Sequence, residues 1–411
     1  MTISAATVWE VRTTGAQTNG GGFANLDPGT SVDYSQQAAA QLSLTNLNHA
    51  AGSSILTSAT GGFTAAMVGN IIKIVSGTNF TVGWYQIIAY TSSNQVTVDR
   101  SLGASAGSSN GVGNVGGAFL IGGAVDDAFF ETKVAGNAIY IATGTYTLTS
   151  HIDQSVTGSA LLPITWIGYK NTRNDITTRP DRPLFVCGSW FSKFGSYTIL
   201  KNLRFTTTSS DGLLLGNYSV LYNCKSQNTG IATRKAISVG YYSHIIFCEA
   251  ISDLGIAIFF SYRVSISFCY IHDSVSGLTS DTGNCVLYSS VIAKCTTGLA
   301  LQDTLWHTIM NNTIYSCTTG ISATTAYESI FINNIITNCA TGASWGTFTI
   351  NNIWDYNCWN NTIDVVNITK GPNDITADPK LKDPADDDFT LKGGSPCFAA
   401  GLSLSSDVGL S

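Results

Sequence analysis

A glycine recurs at Gly230, Gly255, Gly277, Gly298, Gly320 and Gly342, in steps of 25, 22, 21, 22 and 22 residues, and each closes a run of β-type residues. The clearest copies are VLYSSVIAKCTTG (286–298), TIMNNTIYSCTTG (308–320) and SIFINNIITNCATG (329–342), preceded by the looser SISFCYIHDSVSG (265–277). Aligned on the doublet before the glycine, they place like over like. One column reads Ile266, Leu287, Ile309, Phe331, and another Ile271, Ile292, Ile314, Ile336. A third reads Cys269, Ser290, Asn312, Asn334, and a fourth Ser274, Cys295, Cys317, Cys339.

A unit of about 22 residues with short alternating runs excludes a helical solenoid, whose units are longer and carry a 3.6-residue period. Short runs separated by Gly, Asn and Thr turns instead give parallel strands that each pair with the coil above. The segment from about Tyr197 to Asn361 is therefore expected to be a single-stranded right-handed parallel β-helix. Its Asn column is expected to bond along the stack as a ladder. The Cys295, Cys317 and Cys339 column reads as core packing, because a metal needs ligands that converge and these stack in a line.

Composition agrees with an all-β chain. Charged residues make up only 11% of the 411 residues, under half the roughly 25% of ordinary soluble domains. The net charge of −6 is spread thinly, with no run of Lys or Arg to neutralise a phosphate backbone, so nucleic acid is excluded as an expected partner. No stretch approaches the ~18 to 20 apolar residues of a membrane-spanning helix. The start, MTISAATVWE, has neither a basic nor an apolar leader region, which leads to the expectation that the chain is made and folded in a cytoplasm. Ten cysteines are too few for a disulfide scaffold, and few disulfides or none are expected.

Outside the repeat, residues 1–50 read as a strand and a Gly/Asn-rich loop. Residues 51–121 read as a small antiparallel β insertion, with strands at Ile71 to Val75, Gly83 to Tyr90 and Gln95 to Val98, followed by a Gly-rich linker at 103–117. A short helix at Asp126 to Lys133 would cap the first coil, the β-helix itself would occupy 122–370, and 371–411 would close it.

The two ends carry a resemblance. The beginning TTGAQTNGGGF (13–23), the entry strand GNAIYIATGTYTL (136–148) and the ending DPKLKDPADDDFTLKGGSPCFAAG (378–401) resemble the right-handed parallel β-helix, or pectate-lyase-like, superfamily. Its closing pattern is typically DP-x-F-x-D-x-x-x-x-D-F-x-L-x-x-GSP-x-x-x-x-G. The insertion and Gly-rich loop make the chain most similar to phage virion β-helix proteins of tailspike or fibre type. That resemblance implies a homotrimer on the exterior of a particle, assembled in the host cytoplasm. It further implies that the N-terminal part contacts other virion proteins and that host surface polysaccharide is the ligand, with no cofactor.

Polysaccharide cleavage would need two carboxylates, or a base with a partner for a sugar carboxylate. Asp281 and Asp303 fall in one column on adjacent coils, about 4.8 Å apart by strand spacing, close to the ~5 to 5.5 Å of a retaining pair. A nearby outward column of Arg263, Asn284, Trp306 and Glu328 has groups able to stack on a sugar and bond its hydroxyls. The same residues also fit an ordinary solvated turn. His307 reads as a core histidine, and His272 and Asp273 as a polar loop beside Glu249 and Asp253. Lys294 reads as isolated, and Asp386, Asp387 and Asp388 as a solvated cap turn. The expected function is a structural virion protein that binds glycan, and the alternative is a polysaccharide-degrading glycosidase or lyase. Apolar outward residues Phe259, Phe260, Tyr262 and Trp306 would be buried between subunits.

Overall fold

The computed structural model describes residues 3–402 apart from 124–125, 176, 231–232, 281 and 303. The chain forms two units, residues 1–187 with 193–204, and 188–192 with 205–411.

In the first unit, strand Val8–Val11 pairs in parallel with Ala138–Ala142, which pairs with Ile164–Tyr169 and then Thr198–Lys201. The first rung of the stack is thus supplied by the chain's beginning. Between that rung and the next, the chain builds a closed antiparallel barrel in the order Leu42–His49, Ile55–Ser58, Gln95–Val98, Gly83–Ser92, Ile71–Ser76 and Gly107–Val115. Alternation along each strand sends Leu44, Leu47, Leu56, Ile72, Ile74, Ile87, Val96 and Val115 into its core.

The last barrel strand occupies the stretch that reads as a Gly-rich linker, and its glycines have a packing reason. A Cβ on Gly111 would stand 2.6 Å from the Phe80 ring, and one on Gly113 2.8 Å from Leu47. Small residues there admit large neighbours. Helix Asp126–Glu131 forms as expected and buries Phe129, stacked on Phe119 at 3.8 Å and edge-on to Trp9 at 5.4 Å.

In the second unit each coil contributes a short strand to one sheet: Val220–Tyr222, His244–Ile246, Ser265–Ser267, Val286–Tyr288, Thr308–Met310, Ile330–Ile332 and Ile353–Asp355, all parallel. The register puts Ile266, Leu287, Ile309, Phe331 and Trp354 over one another. Ile271, Ile292, Ile314, Ile336 and Trp359 form a second column. Trp345, Trp354 and Trp359 close the last coils, Trp354 lying flat on Phe331 at 4.0 Å.

Gly230 and Gly255 follow their strands, as the sequence pattern suggested, but from Gly277 onward the repeating glycine lies inside its strand. Gly277 and Gly298 lie within the strands Tyr270–Ser280 and Val291–Leu301. A Cβ on Gly277 would meet the Gly298 carbonyl oxygen at 2.6 Å, one on Gly298 that of Gly320 at 2.5 Å, and one on Gly320 that of Gly342 at 2.4 Å. The glycine column is required because each backbone passes this close to the next.

Turning happens elsewhere. Trp306, Asn311 and Ser316 have φ of 61°, 58° and 55°, and the equivalent residues Glu328, Asn333 and Asn338 have 52°, 57° and 59°. Each coil thus bends at left-handed corners five residues apart. The corner N–H groups of Trp306, Asn311 and Ser316 donate to the carbonyls of Tyr327, Ile332 and Thr337 in the next coil. After several corners comes an inward residue whose N–H is received by a side chain of the next coil. Asn312 N donates to Asn334 Oδ1 at 3.1 Å, Cys285 N to His307 Nδ1 at 3.2 Å, and His307 N to Ser329 Oγ at 3.0 Å. These inward acceptors satisfy buried donors that no strand pairing reaches.

Candidate functional site

The residues Arg263, Asn284, Trp306 and Glu328 form one of these corner columns, with φ of 57°, 68°, 61° and 52°. A left-handed corner whose following residue points inward leaves its own side chain outside, so the column presents one side chain per coil. Tyr218 and Tyr242 continue it at φ 58° each, and their rings stack at 5.0 Å and 4°. Those two rings use a face on each other. Arg263 lies over Tyr242 and Tyr262 at 5.5 and 5.0 Å from their centroids, which engages its guanidinium in cation–π contacts.

Trp306 differs. It is 49% exposed, its indole Nε1 donates to Glu328 Oε2 at 2.5 Å, and among the described residues no ring stacks on it. A fixed, uncovered indole beside a carboxylate and an amide is a platform for an apolar sugar face with acceptors for hydroxyls alongside. Asp281 and Asp303, the carboxylate pair, lie outside the described residues.

His307 is fully buried, and desolvation brings its pKa down to about 4. Because Nδ1 accepts the Cys285 N–H, the neutral ring carries its proton on Nε2. It is a core residue.

A second cluster gathers on the long strands. Glu249 Oε1 lies 2.7 Å from Lys225 Nζ and 3.4 Å from His272 Nε2, and His272 Nδ1 lies 2.6 Å from Asp273 Oδ2. Tyr270 stacks on the imidazole at 3.9 Å. Over it folds the C-terminal hairpin of Leu381–Asp383 and Asp388–Leu391, with Phe389 against Tyr270 and Tyr315. At its turn Asp387 accepts a bond from the Tyr270 hydroxyl at 2.5 Å and pairs with Lys294 Nζ at 3.0 Å. The Tyr270 bond, with Lys294, holds the Asp387 carboxyl below its ordinary range.

Two sequence expectations are corrected here. Lys294 is not isolated, and the Asp386 to Asp388 turn is docked through Asp387. Both partners lie about a hundred residues away in sequence, where no local pattern could announce them. Beside the hairpin an open groove of about 520 Å³ brings Asp253, Asp273, Lys294, Ser316 and Thr318 together. Phe260 is also corrected: it points into the core with no exposed surface, and Phe259 is half-buried with Lys235 Nζ 3.9 Å over its ring.

Parallel in-register coils, inward ladders and left-handed corners together decide the architecture. The chain is a right-handed parallel β-helix protein. A family model described as periplasmic copper-binding protein (NosD) matches residues 189–376, under half of the 411-residue chain. No curated protein matches the chain. Among solved structures it is similar to pectate lyase Pel9A, at 12% identity and a TM-score of 0.45 over 69% of this chain and 90% of that one. It is similar to the Dettilon tailspike protein gp208 at 10% identity and a TM-score of 0.37, over 54% and 56% of the two chains. A rhamnogalacturonan lyase matches at 10% identity and 0.32, over 61% and 83%.

Copper, named in the family description, needs convergent donors. Among the described residues no three or more His, Cys, Asp and Glu side chains are placed to hold a metal ion. The Cys295, Cys317 and Cys339 thiols point in line and donate to the carbonyls of Ala293, Tyr315 and Thr337. The adjoining Cys295 thiol and burial push Cys317 up to about 12, which disfavours the thiolate a metal would need. This donor set does not fit a copper site. No helix among the described residues is long and apolar enough to cross a membrane.

Proposed function

We propose that this protein is a structural component of the exterior of a tailed-phage particle, a tailspike, fibre or head-decoration subunit, that binds host surface glycan along its outward corner column. The observation that carries the reading is Trp306, an uncovered indole oriented by Glu328 at a corner that adjacent coils extend with further outward side chains. One side chain per coil gives a spacing of about 4.8 Å, on the scale of a single sugar residue. The reading includes a homotrimer. Half-exposed Tyr222, Phe247 and Phe268 on the outside of the coils supply apolar surface for packing between subunits. The N-terminal portion with its barrel is then the part that meets other particle proteins.

The test is glycan binding by titration calorimetry with host capsule or lipopolysaccharide. Trp306→Ala is expected to weaken binding at least tenfold, the loss of one stacked ring of ~1.4 kcal/mol or more. Unchanged affinity in that variant sinks the corner as the site. Light scattering at three chain masses supports the trimer, and a monomer removes it.

The groove that assembles Asp253, Asp273 and Lys294 favours a second reading, a glycosidase or lyase. In that case the wild type shortens the glycan, whereas cleavage is lost from the Asp281→Asn and Asp303→Asn pair or from Lys294→Ala. No shortened chains from the wild type removes the enzyme.

A further inference from the structure

After strand Ile375–Thr376 the chain leaves the coils, forms the hairpin and returns, so that Asn333 is bonded both ways to Leu402: Nδ2 to the carbonyl at 3.1 Å and the Leu402 N–H to Oδ1 at 2.7 Å. On this return leg Cys397 comes to the same cavity as Cys358, whose thiol donates to the Ala377 carbonyl at 3.4 Å. Both line a cavity of about 200 Å³ with Asn334, Tyr356, Ile375 and Gly401.

This pair differs from the thiols stacked along the coils. Cys295, Cys317 and Cys339 occupy one position of successive coils, so their Cα–Cβ bonds run side by side about 4.8 Å apart. A disulfide needs the two Cβ atoms within about 3.5 to 4.5 Å and a dihedral near 90° across the sulfurs, which side-by-side bonds cannot supply without moving backbone. Cys397 belongs to a separate segment that approaches the coils from outside. It is also the one cysteine that is not buried, the other nine being enclosed. Reactivity follows the same division. The neighbouring Cys358 holds Cys397 below the ordinary thiol value, whereas Cys317 and Cys339 are raised by their neighbours and by burial. The partly exposed member of the pair is thus the nucleophile and the enclosed one the resolving partner.

We propose that Cys358 and Cys397 form a disulfide latch that fastens the C-terminal cap to the coils, closed by exchange with a low-molecular-weight disulfide. The Cys397 thiolate attacks one sulfur of the small disulfide, forming a mixed disulfide and expelling one small thiolate. The Cys358 sulfur, its proton passed to solvent, attacks Cys397 Sγ, forms the protein bridge and expels the second thiolate. Two protein thiols are oxidised, one small disulfide is reduced, and the two protons leave on two small thiols.

The experiment uses the full chain, reduced and then exposed to oxidised glutathione, with alkylation and peptide mass spectrometry as readout. The expected result is one bridge between the peptides that carry Cys358 and Cys397, with two of the ten thiols lost to alkylation. Proteolysis between 377 and 402 is expected to slow about tenfold, since the bridge suppresses local opening of the cap, and dithiothreitol should restore it. Cys295→Ser should keep the bridge, and Cys397→Ser and Cys358→Ala should each abolish it. A bridge within the Cys295, Cys317 and Cys339 column overturns the proposal. So does Cys397 recovered only as its glutathione adduct, or a bridge that leaves proteolysis of the cap unchanged.

Discussion

One inward column of the β-helix changes chemistry along its length. In the earlier coils it holds Cys224, Cys248 and Cys269, then Ser290, and in the later coils Asn312, Asn334 and Asn357, before Asp374 ends it. The amide half is doubly linked. Asn334 Oδ1 takes both the N–H and the side-chain amide of Asn312, at 3.1 and 3.0 Å, while its own Nδ2 donates to Ile309 O and Asn357 Oδ1 at 2.9 and 3.0 Å. Asp374 terminates the run as a pure acceptor, receiving Asn357 and the Trp359 indole. In the thiol half Cys269 reaches the corresponding carbonyl, Ile245 O, at 3.6 Å, and its own N–H goes to Ser290 Oγ. The same geometry can therefore be met by a small apolar group with a weak donor or by a polar group wired to its neighbours. The second choice makes each member depend on the next.

That dependence sets the largest expected effect. Asn334→Leu strands buried donors on Asn312 and the Ile309 carbonyl and leaves Asn357 Oδ1 with only the backbone N–H of residue 334, and is expected to cost about 4 kcal/mol. The corresponding change in the thiol half, Cys269→Leu, should cost less than half as much in denaturant unfolding. Equal losses would show that the two halves are not energetically distinct.

A second expectation concerns His307, which performs the acceptor role with a titratable ring. Its folded pKa of about 4 lies below its unfolded value near 6.5, so below 6.5 the unfolded chain binds a proton that the folded chain refuses. Stability from this group is complete above pH 6.5 and declines as pH falls towards 4, by up to about 3 kcal/mol. His307→Asn, which puts the column's own amide in its place, should flatten that part of a stability-against-pH curve. An unchanged slope would mean that another group produces it. The smallest effect is expected from Ser290→Asn, which lengthens the amide ladder by one coil and should stabilise by at most about 1 kcal/mol in denaturant unfolding.

The inward columns were legible because repetition in space is repetition in sequence. Ile over Ile and Asn over Asn at a step near 22 can be read without coordinates, and the observed register repeats it. The corners were not legible. Left-handed φ is associated with Gly and Asn, yet here it falls on Trp306, Phe268 and Lys294, where bonds between coils impose it. Four of the glycines that read as turns, Gly277, Gly298, Gly320 and Gly342, are instead close approaches within strands. The hairpin over Tyr270 and Lys294 was hidden because nothing in either segment encodes the other. Of the candidate site, the Arg263 to Glu328 column was found as a set, but the division of labour within it depends on ring contacts that spacing does not convey.

The corners also have a meaning for how such a surface changes over time. Their conformation is held by main-chain bonds from one coil to the next, so at corners such as Trp306, away from the cap contacts of Lys294 and Asn333, the identity of the outward side chain is nearly free of any duty to the fold. A substitution there meets only the intrinsic dislike of L-residues for this conformation, roughly 1 to 2 kcal/mol and already present in the resident side chain. The outward side chains can therefore be revised one coil at a time while the scaffold beneath stays constant.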